Sequence, residues 1–369
     1  MKQRGFFDVD ERLKRVSDLG DPLEAMAAVV DFEGFRPILD AALKRSDGAK
    51  GGWPAFDPVL MFKVLILQAL NDLSDERAEF LITDRLSFMR FLGLSLGDKA
   101  PDRNTIWTFR ETLKKAGVID ALFAAFDAQI VAGGYRATHG QIVDASLIAA
   151  PKQRLTDEEK AAIKDGKSAD EIWSNPKKAA QKGERASAIG SSEPANDARW
   201  TIKYSKKKDD APKGQVDIAI PSFGYKSHVM TDRAHGFIRS FKVTDAARHD
   251  GAQLKDLVRG DLLATSVWAD TAYRSKANEA WLSRHGLVSH IHRRKPKGRP
   301  MPEHVRRGNA TKSKVRAFVE HVFADQKHRM GMKIRTIGLD RATIKIGLVN
   351  IAYNMRRLVF HRRQAAAPA

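Results

Sequence analysis

The period of the hydrophobic pattern changes once along this chain, near His139, and that change constrains the fold more than any other feature. Upstream, apolar residues recur at helical spacing; downstream, the run GQIVDASLIAA at 140–150 is β-branched and reads as a strand. A single acid, Asp144, stands in the middle of that run. A carboxylate inside an apolar strand carries a heavy desolvation cost unless positive charge or hydrogen-bond donors meet it. Either Asp144 is bonded to backbone amides at a strand end, or a partner reaches it from elsewhere in the fold.

The first 125 residues read as helices. Asp21-Pro22 and Asp57-Pro58 each set an N-cap before a proline at the first helical position, the former with a capping glutamate at Glu24. A third helix opens at Ser74 and breaks near Thr83. After the loop at 93–102 comes RNTIWTFRETLKKAG, 103–117, with Ile106, Phe109 and Leu113 on one side and Arg103, Trp107, Arg110 and Lys114 on the other. Helix, turn and helix with a basic face is how a helix-turn-helix module enters a DNA groove, although basic faces are more often simply solvated. Trp107 on that face either packs on a neighbouring helix or touches a partner. The charge favours the DNA reading: 64 Lys and Arg stand against 45 Asp and Glu, a formal charge of +19, which points to nucleic acid before a membrane surface.

Several classes drop out. The most apolar window, Val59 to Leu70, is short and carries Lys63 and Gln68, so no membrane span is expected. The opening residues lack the apolar run of a signal peptide. Without a cysteine there is no disulfide, thiol nucleophile or Cys-based zinc site, which fits a reducing cytoplasm. GLSLGDK at 93–99 has the wrong spacing for a phosphate-binding loop, so no nucleotide cofactor is expected.

Residues 151–215, rich in Lys, Asp, Glu, Ser and Ala, read as a charged insertion with a capping box at Thr156–Glu159, a second helix at 169–173 and a charged loop at 205–214 that lies over nucleic acid or hangs in solvent. Strands are expected at 214–220, 224–232 and 236–245, then a short helix at 251–259 capped by Asp250, with His249 ambiguous. SVWADTAYRS at 266–275 is the next strand and carries a second isolated acid, Asp270. A helix at 275–285, a strand at 286–292, a basic loop at 293–307 and helices at 314–330 and 342–363 complete an α/β fold, a mixed sheet flanked by helices.

In the helix at 314–330, Val315, Phe318, Val319, Val322 and Phe323 form the apolar stripe. At roughly 100° per residue, Arg316, Glu320 and Lys327 fall within about 40° of one another at its margin, whereas Asp325 lies about 140° away with His321 and His328. Arg316 and Glu320 are then either an ordinary surface pair or part of a site. Asp144, Asp270 and Glu320, from two strands and a helix at the edge of a core, are the oxygen ligands that hard divalent cations take, and two such ions about 4 Å apart suit in-line phosphodiester displacement.

The wording of the chain is similar to that of the DDE transposases of the bacterial insertion-sequence IS-four/IS-five group. The likeness runs through QIVDASLIAAPKQR, GYKSHVMTDRAHGFIRSFKVTDAARHDGAQL, WADTAYRS, HRRKPKGRPMPE and VEHVFADQKHRMG, and includes RLSFMRFLGL in the helical region. That family's signature is Tyr-x2-Arg-x3-Glu-x6-Lys; Arg316, Glu320 and Lys327 match it, and Ser313 stands at the Tyr position. Asp270-Thr-Ala-Tyr273 matches the element around the second acid. The resemblance implies an N-terminal helical DNA-binding domain over 1–125, an RNase H-like catalytic domain over 136–363 with the insertion at 151–215, and a disordered tail at 364–369. It implies that Asp144, Asp270 and Glu320 ligate two Mg²⁺ ions, with Mn²⁺ as substitute, while Arg316, Lys327 and Tyr273 hold DNA near the cut. It also implies cutting of element ends, joining of the 3′-hydroxyls to target DNA, at least a homodimer on double-stranded DNA, and a bacterial cytoplasmic setting. A nuclease of the same fold, or a DNA-binding protein that has lost catalysis, is the alternative.

Overall fold

The computed structural model describes residues 8–43, 55–152, 156–174, 197–204, 218–263, 265–296 and 298–366. Among the described residues, eight α-helices precede the first strand: α1 (Asp8–Asp18), α2 (Pro22–Val29), α3 (Arg36–Leu43), α4 (Pro58–Asn71), α5 (Asp75–Asp84), α6 (Leu86–Leu92), α7 (Arg103–Ala116) and α8 (Ile119–Ala132). Their starts follow the cap chemistry: Asp21 accepts from Leu23 N, Asp57 from Val59 N and Leu60 N, and Ser74 from Arg77 N. Glu24 faces Arg90 at 3.2 Å, and Arg90 also holds the buried Asp21 at 2.6 Å, which ties α6 to α2. The apolar window at 59–70 is α4, buried almost all round because the other helices pack about it.

The sheet contains β1 (Gln141–Ala149), β2 (Arg199–Tyr204), β3 (Ala219–Asp232), β4 (Ile238–Asp245), β5 (Ser266–Trp268) and β6 (Val288–Ser289). Between β1 and β2 lie α9 (Asp157–Lys164), opened by the expected capping box, and α10 (Ala169–Ile172). After β4 come α11 (Leu254–Leu257), α12 (Lys276–Arg284), α13 (Glu303–Ala324) and α14 (Leu339–Ala366). The path β4-β3-β1-β5-β6, with β3 antiparallel and β5 parallel to β1, is an RNase H-like mixed sheet, and β2 adds to the N-terminal half of β3. β3 and β1 press together so closely that a Cβ on Gly224 would lie 2.0 Å from the Ile148 carbonyl oxygen, so glycine alone fits there.

Several expectations are corrected. The expected strands at 214–220 and 224–232 are joined where the structure describes them: β3 runs unbroken from Ala219 through Pro221 to Asp232, and 214–217 lie outside the described residues. The charged insertion yields β2, whereas the loop at 205–214 lies outside the described residues. Asp250 is not the cap of the next turn; His249 Nδ1 accepts from Gly251 N, and Asp250 pairs with Lys226 at 2.8 Å. Residues 303–307 are the first turn of α13 rather than loop. The last helix continues to Ala366, past the start of the expected tail, and 367–369 lie outside the described residues.

The sheet has two covered faces. Along β1, Ile142 and Ile148 join the large core that also holds the N-terminal helices, α13 and α14, whereas Val143 joins a smaller core with Leu254, Val267, Tyr273 and Leu282. One core therefore spans helical region and sheet. The boundary expected at residue 125 falls inside α8, whose Phe123 meets Phe241 of β4 with ring centroids 5.0 Å apart. α14 runs between the two parts, and its Asn354 bonds both the N–H and the carbonyl of Ile238.

Candidate active site

Register brings the first two acids together. β1 and β5 are parallel with Ile142 opposite Trp268, and two residues further along each chain stand Asp144 and Asp270. Asp270 adds to the negative charge felt at Asp144, so the two carboxylates are neighbours just past the paired stretch, at the carboxyl end of β5. Asp270 lies beyond the three-residue strand, not within it, and caps the following turn by accepting from Ala272 N at 2.8 Å. Asp144 accepts from its neighbour's amide, Ala145 N, at 2.8 Å through Oδ1.

The third acid arrives on α13, which crosses β1 and β5 with Val319, Val322 and Phe323 buried. Arg316, one turn before Glu320, reaches Asp144 Oδ2 through Nη2 at 2.8 Å. Burial works against the Arg316 charge, but Asp144, Asp270 and Glu320 more than offset it and hold its pKa above the ordinary value. One guanidinium thus sits in the field of all three acids. The surface-pair reading of Arg316 gives way to a buried tie between α13 and β1, with Glu320 left exposed. Phe318, placed on the buried stripe by the helical wheel, is 57% exposed because α13 buries only a narrow strip.

Burial raises the Asp144 carboxyl above the usual carboxylate range; Arg316 and the Ala145 amide oppose that, and Asp270 adds to it. The first acid is therefore short of positive charge even with Arg316 in place. Tyr273 is only 1% exposed, and burial together with Asp144, Asp250 and Asp270 pushes its phenol well above the ordinary value. Its hydroxyl is buried without a hydrogen-bond partner, as are Arg316 Nε and His292 Nε2. Among the described residues no three His, Asp or Glu side chains already form a metal cage. The donor set nonetheless fits a hard divalent cation: oxygen ligands only, one of them under-neutralised, and a third that is solvent-facing.

Lys327 sits in a π turn, Asp325–Arg329, that continues α13 and ends at Gly331 as the sequence indicated. The wider turn rotates Lys327 away from the direction that a uniform helical step assigns to it. Ser313, at the signature Tyr position, is exposed on α13. His292 was missed by sequence reasoning: its amide bonds Ala269 O at 3.1 Å, next to Asp270, and burial, Arg316 and Lys312 lower its pKa. The only signal was one polar residue at the end of an apolar run.

The expected DNA face of α7 divides. Arg103 and Trp107 are exposed, Trp107 by 50%. Arg110 is instead bidentate to Asp75 at 2.7 Å and Lys114 holds Glu111 at 2.7 Å, which Arg341 of α14 also grips. Arg110→Ala should lower stability by about 1–3 kcal/mol, since it strands Asp75 in a half-buried setting. A urea melt checks this; no change in midpoint would place Arg110 outside the fold's support.

Two family models match this chain. A Transposase domain (DUF772) covers residues 10–112, and a Transposase DDE domain covers 137–355, more than half of the chain. A cryo-EM structure of a piggyBac transposase synaptic complex with hairpin DNA is similar over 94% of this chain and 76% of that one, at 13% identity and a TM-score of 0.43. Likeness that slight transfers nothing about DNA path or assembly. No helix among the described residues is long and apolar enough to cross a membrane. With Arg316 of α13 tied to Asp144 of β1 in a field to which Asp270 and Glu320 contribute, and with that family match over the same residues, the chain belongs to the transposase DDE-domain family and is a DNA transposase that cuts and transfers strands with divalent metal.

Proposed function

We propose that this transposase cuts the ends of its element and joins the freed 3′-hydroxyls to target DNA, with Asp144, Asp270 and Glu320 holding two Mg²⁺ ions, replaceable by Mn²⁺. The observation that supports the reading is Arg316 of α13 at 2.8 Å from Asp144, with Asp270 and Glu320 adding to the negative field on the same guanidinium. When bound, the ions supply activation of the attacking oxygen and charge stabilisation at the leaving oxygen. Arg316 orients the Asp144 carboxylate through Nη2 and keeps a buried Nε–H without an acceptor, a donor for a phosphate oxygen. Tyr273 stays protonated and presents a second unpaired O–H, and Lys327 supplies a cation nearer solvent. Exchange of one phosphodiester for another is nearly isoenergetic, in keeping with the lack of a phosphate-binding loop. Two ends must be held at once, so the working form is a homodimer or larger on double-stranded DNA, acting in a bacterial cytoplasm.

The test offers pre-cut element ends and a target duplex with Mg²⁺. Joined products are expected; cutting without joining would favour a nuclease of the same fold, and no reaction would favour a silent DNA-binding protein. On the helical region, Arg103→Ala with Trp107→Ala should weaken end binding, and loss of one phosphate contact should lower the slope of log affinity against log salt by about 1. An unchanged slope moves the DNA-reading surface off α7.

A further inference from the structure

A cavity of about 200 Å³ lies away from the catalytic acids, between α4, α5, α7 and α14. Its floor is aliphatic, with Ile344 and Leu348 of α14, and Trp107 lines it from α7. Six basic side chains and two acids line it, a large excess of positive charge for so small a space. Five of the bases are engaged: Arg110 with Asp75, Lys114 and Arg341 with Glu111, and Lys333 and Arg335 with Asp72. The sixth, Lys345, is partly buried and among the described residues makes no ion pair or hydrogen bond. Burial pushes its ammonium down to about 8, with Asp72 and Asp75 opposing and Arg335 and Arg110 reinforcing.

A cation kept partly out of water and without an acceptor costs stability, and the protein has placed it beside guanidinium groups whose N–H donors are not all used. Each Arg carries five donors in a fork, and Arg110 uses only its two terminal nitrogens on Asp75 and Gln68. An anion with several oxygens satisfies Lys345 and the spare Arg donors together, which a single carboxylate does less well. An apolar floor and a half-exposed indole suit the ring of an attached sugar or base.

We propose that this cavity is a phosphate-ester site, built by the closing helix together with α7, in which Lys345 is the primary anion contact. It rests on the DNA reading above for its role in transposition, but not for the chemistry of the ligand. The phosphate is that of a backbone ester of bound DNA or a free phosphate with the same oxygens, and the two sources are separable.

The test uses the full chain and Lys345→Met, which keeps the stem and removes the charge, with Lys276→Met on exposed α12 as the control for loss of one positive charge. One arm measures affinity for a duplex carrying an element end over a range of salt. The other follows tryptophan emission as inorganic phosphate is added, with Trp107→Phe identifying the reporter. K345M should melt no lower than wild type. It should lose about tenfold in duplex affinity and about 1 from the salt slope if the ligand is a DNA phosphate. A saturable emission change in wild type that K345M lacks identifies free phosphate as sufficient. The proposal is overturned if K345M matches K276M in the first arm and wild type in the second, or if K345M melts lower, which would give the ammonium a role within the fold. Wild type that responds to phosphate and ignores the duplex would sink the DNA reading alone.

Discussion

Asp144→Asn, Asp270→Asn and Glu320→Gln should each lower strand cleavage by about 10³-fold or more, roughly 4 kcal/mol of transition-state stabilisation, while end binding stays within a factor of about three. The amides keep the shape of the carboxylates and remove the charge that divalent cations require. Asp144 stands on β1, Asp270 caps the turn after β5 and Glu320 comes from α13, so none substitutes for another. Asp144→Asn also leaves one acceptor oxygen where Arg316 and the Ala145 amide now use two, so this variant should show the largest loss. Single-turnover cutting of an end-containing duplex, beside a binding curve, makes the measurement. Cleavage within about tenfold of wild type in any one variant removes that acid from the site.

Arg239→Leu should unfold the protein more readily, by about 3–5 kcal/mol, because it breaks a buried charge network from the middle. The Arg239 side chain is 1% exposed; it bonds Asp232 and Asp127 at 2.8 Å each and the Tyr135 carbonyl at 2.6 Å. For Asp232 burial works to raise the pKa, but bonds from His235 and Arg239 overcome it and hold the carboxyl below its ordinary value. A carboxyl so lowered contributes stability above its unfolded pKa and loses it as pH falls through the folded value, so wild type should be destabilised in acid and the variant should show a flatter dependence there. Asp127 keeps Arg259 at 2.7 Å, whereas Asp232 keeps the His235 amide at 2.6 Å and its imidazole at 3.4 Å but no guanidinium. Chemical melts at pH 7 and pH 4 measure both effects. A loss below about 1 kcal/mol at pH 7 would mean that the two acids find other partners.

This network is also where a reading of the chain as separate domains gives way. Asp127 lies on α8, in the helical region, and Arg239 on β4, in the sheet, yet the bond between them is buried. Charged residues at such positions look like solvated surface in a sequence, since nothing local marks a partner more than a hundred residues away. Arg110 and Lys114 show the same thing on α7: helical spacing placed them on a basic face, and Asp75 and Glu111 turned that face into a seam. Strand lengths were legible in kind but not in extent, because β5 and β6 are held by neighbours rather than by their own alternation.

The sequence by itself determined that helices precede a mixed sheet, that Asp144 could not stand in its strand without a partner, and that Glu320, unlike Asp325, falls beside Arg316 at the margin of the α13 stripe; each follows from local period and the cost of burying charge. Only the tertiary structure decided that Arg316 is that partner, that Asp270 lies near enough for its charge to reach Asp144, and which bases of α7 remain open. Those are matters of register and of long-range pairing, and a residue's own neighbours in the chain do not specify what meets it across a packed interface.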